Sequence, residues 1–328
     1  MKEEEIRKRS VFNRYLELLS YDIRTFFKDW SRFIPSRCPA CDSDKRITEF
    51  TKEGFTYVAC TECDTLYVNP RPPFLELMRF YTDSPSTHFW VNDFFKPVAE
   101  IRREKIFKPR VDFITKWFGD QPLDAIGDIG AGFGLFLEEL KKVWPAKRLV
   151  AIEPSTEMAA ICSGKGLEVI PKAIEDVTEG KRSFDLLTAF ELFEHLHEPG
   201  CFLRTARELL KPGGYLLLTT LSGHGFDIQT LWERSKSVQP PHHLNFFNPK
   251  FMELLLKRCG YEVIEISTPG KLDWDIVEGM ILQEGARPGR FWELFARSGE
   301  PQAKVALQEW ITQNNLSSHL RTIARRPR

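Results

Sequence analysis

Nowhere in the 328 residues do the roughly 18 consecutive apolar residues of a membrane-spanning helix occur. The start, Met1-Lys-Glu-Glu-Glu-Ile-Arg-Lys-Arg-Ser10, has no apolar signal core either. A soluble, cytoplasmic protein without a membrane span is expected. Charge of one sign is also missing: Lys+Arg and Asp+Glu each number 46, so no overall field draws the chain to nucleic acid or to an anionic surface. Internal repeats and low-complexity segments are absent. Histidine is scarce, with seven in the chain, yet two of them stand side by side at His242 and His243. The seven cysteines are an odd count, and in a reducing compartment that argues against a disulfide framework.

What is there divides the chain along its length. Residues 1–37 read as an amphipathic helical arm rich in Phe, Tyr and Leu and closed by Pro35. Residues 38–73 hold short strand-like runs and end in Asn69-Pro-Arg-Pro-Pro73, which cannot continue a sheet. Residues 74–118 read as a helical connector, and 119–328 as an α/β domain. In that domain strand patterns at 125–129, 148–152, 167–170, 184–190, 214–220, 261–266 and 320–324 are separated, up to the sixth, by helical patterns. Such alternation predicts a mainly parallel sheet covered on both faces, with ligands at the carboxyl ends of its strands.

Cys38-Pro-Ala-Cys41 and Cys60-Thr-Glu-Cys63 have the spacing of two zinc knuckles. Each turn directs two sulfurs toward one tetrahedral ion, and about 35 residues have too little core to fold without such a staple. The expectation is one structural Zn2+ per chain, with Cys38, Cys41, Cys60 and Cys63 as ligands. Cys162, Cys201 and Cys259 lie in helical patterns and read as small core residues.

Asp128-Ile-Gly-Ala-Gly-Phe-Gly134 follows the first strand of the α/β domain and opens a helix, so its backbone can approach a ligand closely. Glu153 ends the second strand about 20 residues later, where a carboxylate accepts ribose hydroxyls. A nucleoside-type cofactor follows. Together with Glu153-Pro154, Ala173-Ile-Glu-Asp176, Phe184-Asp-Leu-Leu-Thr-Ala-Phe-Glu-Leu-Phe-Glu-His195 and Leu210-Lys-Pro-Gly-Gly214, these residues resemble the motif set of class I S-adenosylmethionine-dependent methyltransferases over about 125–268. The resemblance implies a Rossmann-like, mainly parallel seven-stranded sheet and S-adenosylmethionine as cofactor. It implies that Asp128, Gly130, Ala131 and Gly132 face the methionine part, that Glu153 and Pro154 meet the ribose, and that Ile174, Glu175 and Asp176 flank adenine. Phe190 and Glu191 belong to the same wall. Upstream of the core, Tyr81, Trp90 and Arg102 are placed to close over the cofactor, with Arg102 pairing its carboxylate.

The knuckles followed by this core also resemble the sugar C-methyltransferases of deoxysugar biosynthesis. In that family a Glu-His pair after the fifth strand carries the catalytic histidine; His242-His243-Leu-Asn-Phe-Phe247 matches it, with His243 in the base position and His242 replacing the glutamate. The resemblance implies a general base at His243, assisted by His242, with His195 as the next candidate. The expected acceptor is a small molecule or saccharide, a sugar nucleotide or surface-glycan precursor, methylated on oxygen or carbon. The family's further large C-terminal domain is not matched here. Segment 222–241 reads as a lid or as packed scaffold, and 269–318 as an insertion whose Asp273 or Asp275 is placed to bind sugar hydroxyls. Rival readings are an RNA methyltransferase using the ribbon for substrate, disfavoured by the charge balance, and a cofactor-binding interaction protein without turnover. A homo-oligomer is compatible with either.

Overall fold

Eleven strands occur among the described residues of the computed structural model, which are 2–119 and 121–328; Met1 and Asp120, within the expected arm and core, lie outside them. In chain order they are β1 (Arg46–Lys52), β2 (Phe55–Cys60), β3 (Leu66–Val68), β4 (Ala125–Ile129), β5 (Arg148–Ile152) and β6 (Glu168–Ile170). There follow β7 (Phe184–Phe190), β8 (Leu210–Leu221), β9 (Asn245–Phe246), β10 (Glu262–Ser267) and β11 (His319–Arg325). The chain forms two compact units, and their division in space does not follow the linear one.

The first unit comprises the chain up to Ala99, Leu221–Phe251 and Ser267–Leu320. Helix Arg9–Phe26 buries Phe12, Tyr15, Leu19 and Ile23, one stripe at spacings of three and four. That stripe packs with Phe80, Phe94, Ile228, Val238, Leu244 and Phe246 into a single core, each buried side chain contributing roughly 1.5–3 kcal/mol. A four-stranded sheet runs in the order β1-β2-β3-β9. The apolar runs foretell β2 and β3. By contrast β1, Arg46-Ile-Thr-Glu-Phe-Thr-Lys52, is mostly exposed and carries little apolar signal, and β9 joins only through the fold.

Segment 222–241 is packed scaffold: it holds helix Phe226–Leu231 and a 3-10 turn Trp232–Arg234, with Ile228 and Val238 fully buried. The insertion forms helices Asp273–Glu284, Arg290–Ser298 and Pro301–Gln313, closing on a small core of Leu231, Trp274, Val277, Met280 and Ala296. Its two acidic candidates are engaged within the fold. Asp273 accepts from the Ser318 N–H at 2.7 Å, the Ser317 hydroxyl at 2.7 Å and the Gln308 amide at 2.9 Å. Asp275 takes the Glu3 N–H at 2.7 Å and the Lys2 ammonium at 2.7 Å. The expected sugar-binding carboxylates are therefore fastenings of the insertion.

The second unit comprises Glu100–Thr220, Met252–Ile266 and Arg321–Arg328. Its seven-stranded sheet has the order β10-β11-β8-β7-β4-β5-β6, and β8, β7, β4, β5 and β6 pair in parallel. All five residues of β4 are buried, as a central parallel strand requires. Helices Leu135–Val143 and Thr156–Gly164 pack on it through Phe136, Leu137, Leu140 and Cys162. Helix Pro199–Leu209 stops just before Lys211-Pro-Gly-Gly214, which lies inside β8 at a shift of register against β7. This is the expected Rossmann-like sheet, and it places the ends of β4, β5 and β7 side by side.

Candidate active site and metal centre

The loop after β4 turns three times through left-handed backbone, at Gly130 (φ +70°), Gly132 (φ +54°) and Gly134 (φ +68°). Gly132 shows why glycine is needed. A Cβ there would meet nothing within 4 Å, so its conformation rather than crowding demands glycine, and the space beside its Cα is open. Glu153, at the end of β5, is 6% exposed. One carboxylate oxygen accepts the Gly132 N–H at 2.8 Å and the other the Ser155 N–H at 2.9 Å. Each oxygen has a second acceptor direction, so the carboxylate holds the loop and can still receive a hydroxyl. Burial raises its pKa. The open loop and this carboxylate fit a nucleoside-type cofactor.

Around them the second unit is densely acidic. Asp128 is pushed up to about 7 by burial although the Thr188 hydroxyl donates to it at 2.6 Å. Glu191, in left-handed backbone at φ +51°, accepts from the Thr219 hydroxyl at 2.6 Å and from Arg110 at 3.0 Å. Arg110 lies 4.4 Å over the Phe190 ring. Buried Glu194 accepts from the Thr220 hydroxyl at 2.8 Å; burial, then the charge of Glu191, holds it above the usual carboxylate range. His195 ends the 3-10 turn Phe193–His195, and Ile174–Asp176 forms another, with Ile174 buried and Glu175 and Asp176 exposed. Ala131 is partly buried and Pro154 exposed. Arg102 closes helix Ala99–Arg102.

His242, His243 and Trp90 belong to the first unit. The His243 Nδ1 lies 2.6 Å from the Ser237 carbonyl oxygen. A carbonyl only accepts, so Nδ1 carries the proton, and in the neutral ring Nε2 holds the lone pair. His242 packs among Phe80, Tyr81 and Tyr15 at 5.3, 5.3 and 6.2 Å between ring centres. Burial and the neighbouring His243 push it down to about 3, so it stays neutral. Trp90 stacks on Phe94 at 4.2 Å and meets Tyr15 at 4.8 Å, contacts of the aromatic core.

In the same unit Cys38, Cys41, Cys60 and Cys63 bring four sulfurs within 4.8 Å of one another. The nearest pairs, Cys38 with Cys63 and Cys41 with Cys60, are 3.4 and 3.5 Å apart; a tetrahedral zinc with Zn–S of about 2.3 Å needs roughly 3.8 Å. Asp42 and Asp64, each just after a knuckle, take matching left-handed turns at φ +66° and +52° that close each loop around its sulfurs. None of the four is in a disulfide. Without a cation, burial pushes Cys41 up to about 11, and the contact with Cys38, then burial, pushes Cys63 higher. The donor set fits one zinc ion.

Three residues of these sites lie outside the motifs: Arg110, Ser237 and Tyr57, whose hydroxyl donates to the His243 carbonyl at 2.9 Å; Thr188 lies within one, but its partner is not legible there. Thr188 pairs with Asp128 across the sheet register. Arg110 sits in helix Lys108–Phe118, within the connector, and Ser237 acts through its backbone. Only the buried, aromatic character of Tyr57 offers a hint, and that hint reads as core.

Comparison with known proteins agrees with the sheet. The family described as Methyltransferase domain matches residues 99–266, more than half of the chain. The ubiquinone biosynthesis O-methyltransferase of Xanthomonas euvesicatoria pv. vesicatoria (strain 85-10) is 27% identical over 153 residues, covering 43% of this chain and 63% of that protein. Its namesake from Caulobacter vibrioides (strain ATCC 19089 / CIP 103742 / CB 15) is 37% identical over 100 residues, 29% of this chain and 40% of that protein. The chain thus spans less than two thirds of these relatives. At the level of fold, the plantazolicin methyltransferase BamL, in complex with a triazolic desmethylPZN analog and SAH, gives a TM-score of 0.50 at 14% identity, covering 77% of this chain and 95% of that one. With its class I sheet, its glycine loop and a match across the core, the chain belongs to the Methyltransferase domain family.

Proposed function

We propose that the protein methylates an oxygen of a small acceptor from S-adenosylmethionine, with His243 as general base and one structural zinc on Cys38, Cys41, Cys60 and Cys63. When bound, the cofactor supplies an electrophilic methyl group on a sulfonium. The loop of Gly130 and Gly132 would face its methionine part, Glu153 would accept the ribose hydroxyls, and the turn Ile174–Asp176 would flank adenine. The observation that carries the base is the ring of His243, which donates its Nδ1–H to the Ser237 carbonyl at 2.6 Å. In the neutral ring Nε2 would accept the proton of the acceptor's hydroxyl. His242, pushed down to about 3, is too weak a base for that and supports the loop instead.

Oxygen is favoured over carbon because the relatives are named for O-methylation. A saccharide acceptor rests on the resemblance at His242–Phe247 alone. RNA as acceptor finds no support in a chain with 46 cationic and 46 anionic residues. The test is release of the demethylated cofactor over a panel of phenols, catechols and sugar nucleotides, with His243→Ala as control. Turnover on none of them, with cofactor binding intact, would leave the non-catalytic reading; turnover unchanged in His243→Ala would remove the base.

A further inference from the structure

The histidine loop is fastened to the thiolate module at several points, all within the first unit. Tyr57, on β2 between the two knuckles, donates its hydroxyl to the His243 carbonyl at 2.9 Å. Its ring is fully buried and stacks on Phe50 at 5.0 Å between ring centres, so the hydroxyl has no freedom to swing away. Asn248 donates its amide to the Cys63 carbonyl at 2.8 Å, while its oxygen accepts the Phe251 N–H at 3.1 Å. One side chain therefore grips a knuckle and caps the helix that follows. Between these points β9 pairs with β3, Tyr67 opposite Asn245 and Leu66 opposite Phe246, and the Val68 N–H reaches the Leu244 carbonyl at 2.9 Å.

The other side of the imidazole is held as well. Ser237, whose carbonyl receives the Nδ1–H of His243, donates its own hydroxyl to buried Asp227 at 3.1 Å. The ring thus stands between a carbonyl anchored in 222–241 and a backbone anchored in the sheet of the knuckles.

We infer that Tyr57 and Asn248 are positioning residues for His243, through which the Cys38, Cys41, Cys60 and Cys63 module sets where the imidazole stands. The inference deepens the reading of His243 as base and rests on it. A thiolate module that served only as a local staple would have no need of hydrogen bonds to both ends of a loop far along the chain. A displacement of about 1 Å in a catalytic group costs on the order of a hundredfold in rate, so a rigid mount for that loop has a direct use.

The test reads the ring itself. In protein labelled with 15N-histidine, the His243 Nδ1–H resonance, assigned by its loss in His243→Ala, reports the bond to Ser237. We expect it to be sharp and slow to exchange in the zinc-loaded protein. In Tyr57→Phe, and in Asn248→Asp, which keeps the helix cap but cannot donate to Cys63, its exchange should quicken by about tenfold or more. Binding of the demethylated cofactor should stay within about twofold of wild type, since neither residue is in the loop after β4. Chelation should have the same effect on the resonance, and added zinc should restore it. Unchanged exchange in both variants and after chelation would overturn the inference, as would a fall in melting temperature with the resonance intact, which is what mere stabilisation of the fold produces. If Tyr57→Phe does not fold, Asn248→Asp and the zinc titration decide. The two readings separate cleanly: full turnover in His243→Ala removes the base, whereas an inactive His243→Ala beside unmoved resonances removes only the positioning role.

Discussion

Two backbone N–H groups converge on Glu153, which makes it both a fastening of the glycine loop and, in our proposal, the ribose acceptor. Glu153→Ala is expected to weaken binding of the demethylated cofactor by about 1.5–3 kcal/mol, roughly 10- to 150-fold in Kd; titration calorimetry showing an unchanged Kd takes it out of the site. Asp128 carries a prediction in pH. Its folded pKa, about 7, lies above the ordinary carboxylate value, so the native state keeps a proton that the unfolded chain releases first. The stability this group contributes is complete below pH 4 or so and is lost as pH rises through about 7. Asp128→Asn should therefore flatten the fall in melting temperature across that window, and a fall as steep as in wild type means that other groups cause it. Of the histidines, His243→Ala should lose on the order of 10²- to 10⁴-fold in turnover. His242→Phe, whose ring stays among Phe80, Tyr81 and Tyr15, should lose far less; equal losses would shift the base to His242.

At the level of elements the knuckles and the strand after the histidine pair are one sheet, β1-β2-β3-β9. In our proposal a zinc ion joins the two knuckles, and by doing so it would stabilise all four strands. Metal analysis should find one zinc per chain, and Cys60→Ser should lower that occupancy. Hydrogen exchange after chelation should rise in β1, β2, β3 and β9, with the central strands β4 and β7 as an unchanged internal reference, because no ligand comes from them. Protection that persists in β9 shows that its pairing does not need the metal. The strand β1 shows how far element-level signals reach: its side chains are mostly exposed, so the largely buried, apolar run that marks β4, β5 and β7 is absent from it.

For the whole molecule, chain order and spatial order part company. Leu221–Phe251 and Ser267–Leu320 are built with the N-terminal residues, and Ile228, Val238, Leu244 and Phe246 share one core with Phe12, Tyr15 and Phe80. Deletion of residues 1–73 is therefore expected not to leave a well-folded remainder but to uncover that apolar face, seen as low solubility and strong binding of a hydrophobic dye; a soluble, cooperatively melting remainder would refute this. What the sequence by itself determined is what local spacing encodes. The strand and helix periods specify the parallel sheet, the glycines after β4 specify the turn that opens it to a ligand, and the paired Cys-x-x-Cys turns specify a four-sulfur site. The mount of His243 was decided only in three dimensions. Its partners are a carbonyl at Ser237 and a hydroxyl at Tyr57; every residue has a carbonyl and a buried tyrosine looks like core, so no side-chain pattern announces either. The same holds for Arg110 against Glu191 and Thr188 against Asp128, pairs whose members lie far apart in the chain and meet only when the sheet brings its strand ends together.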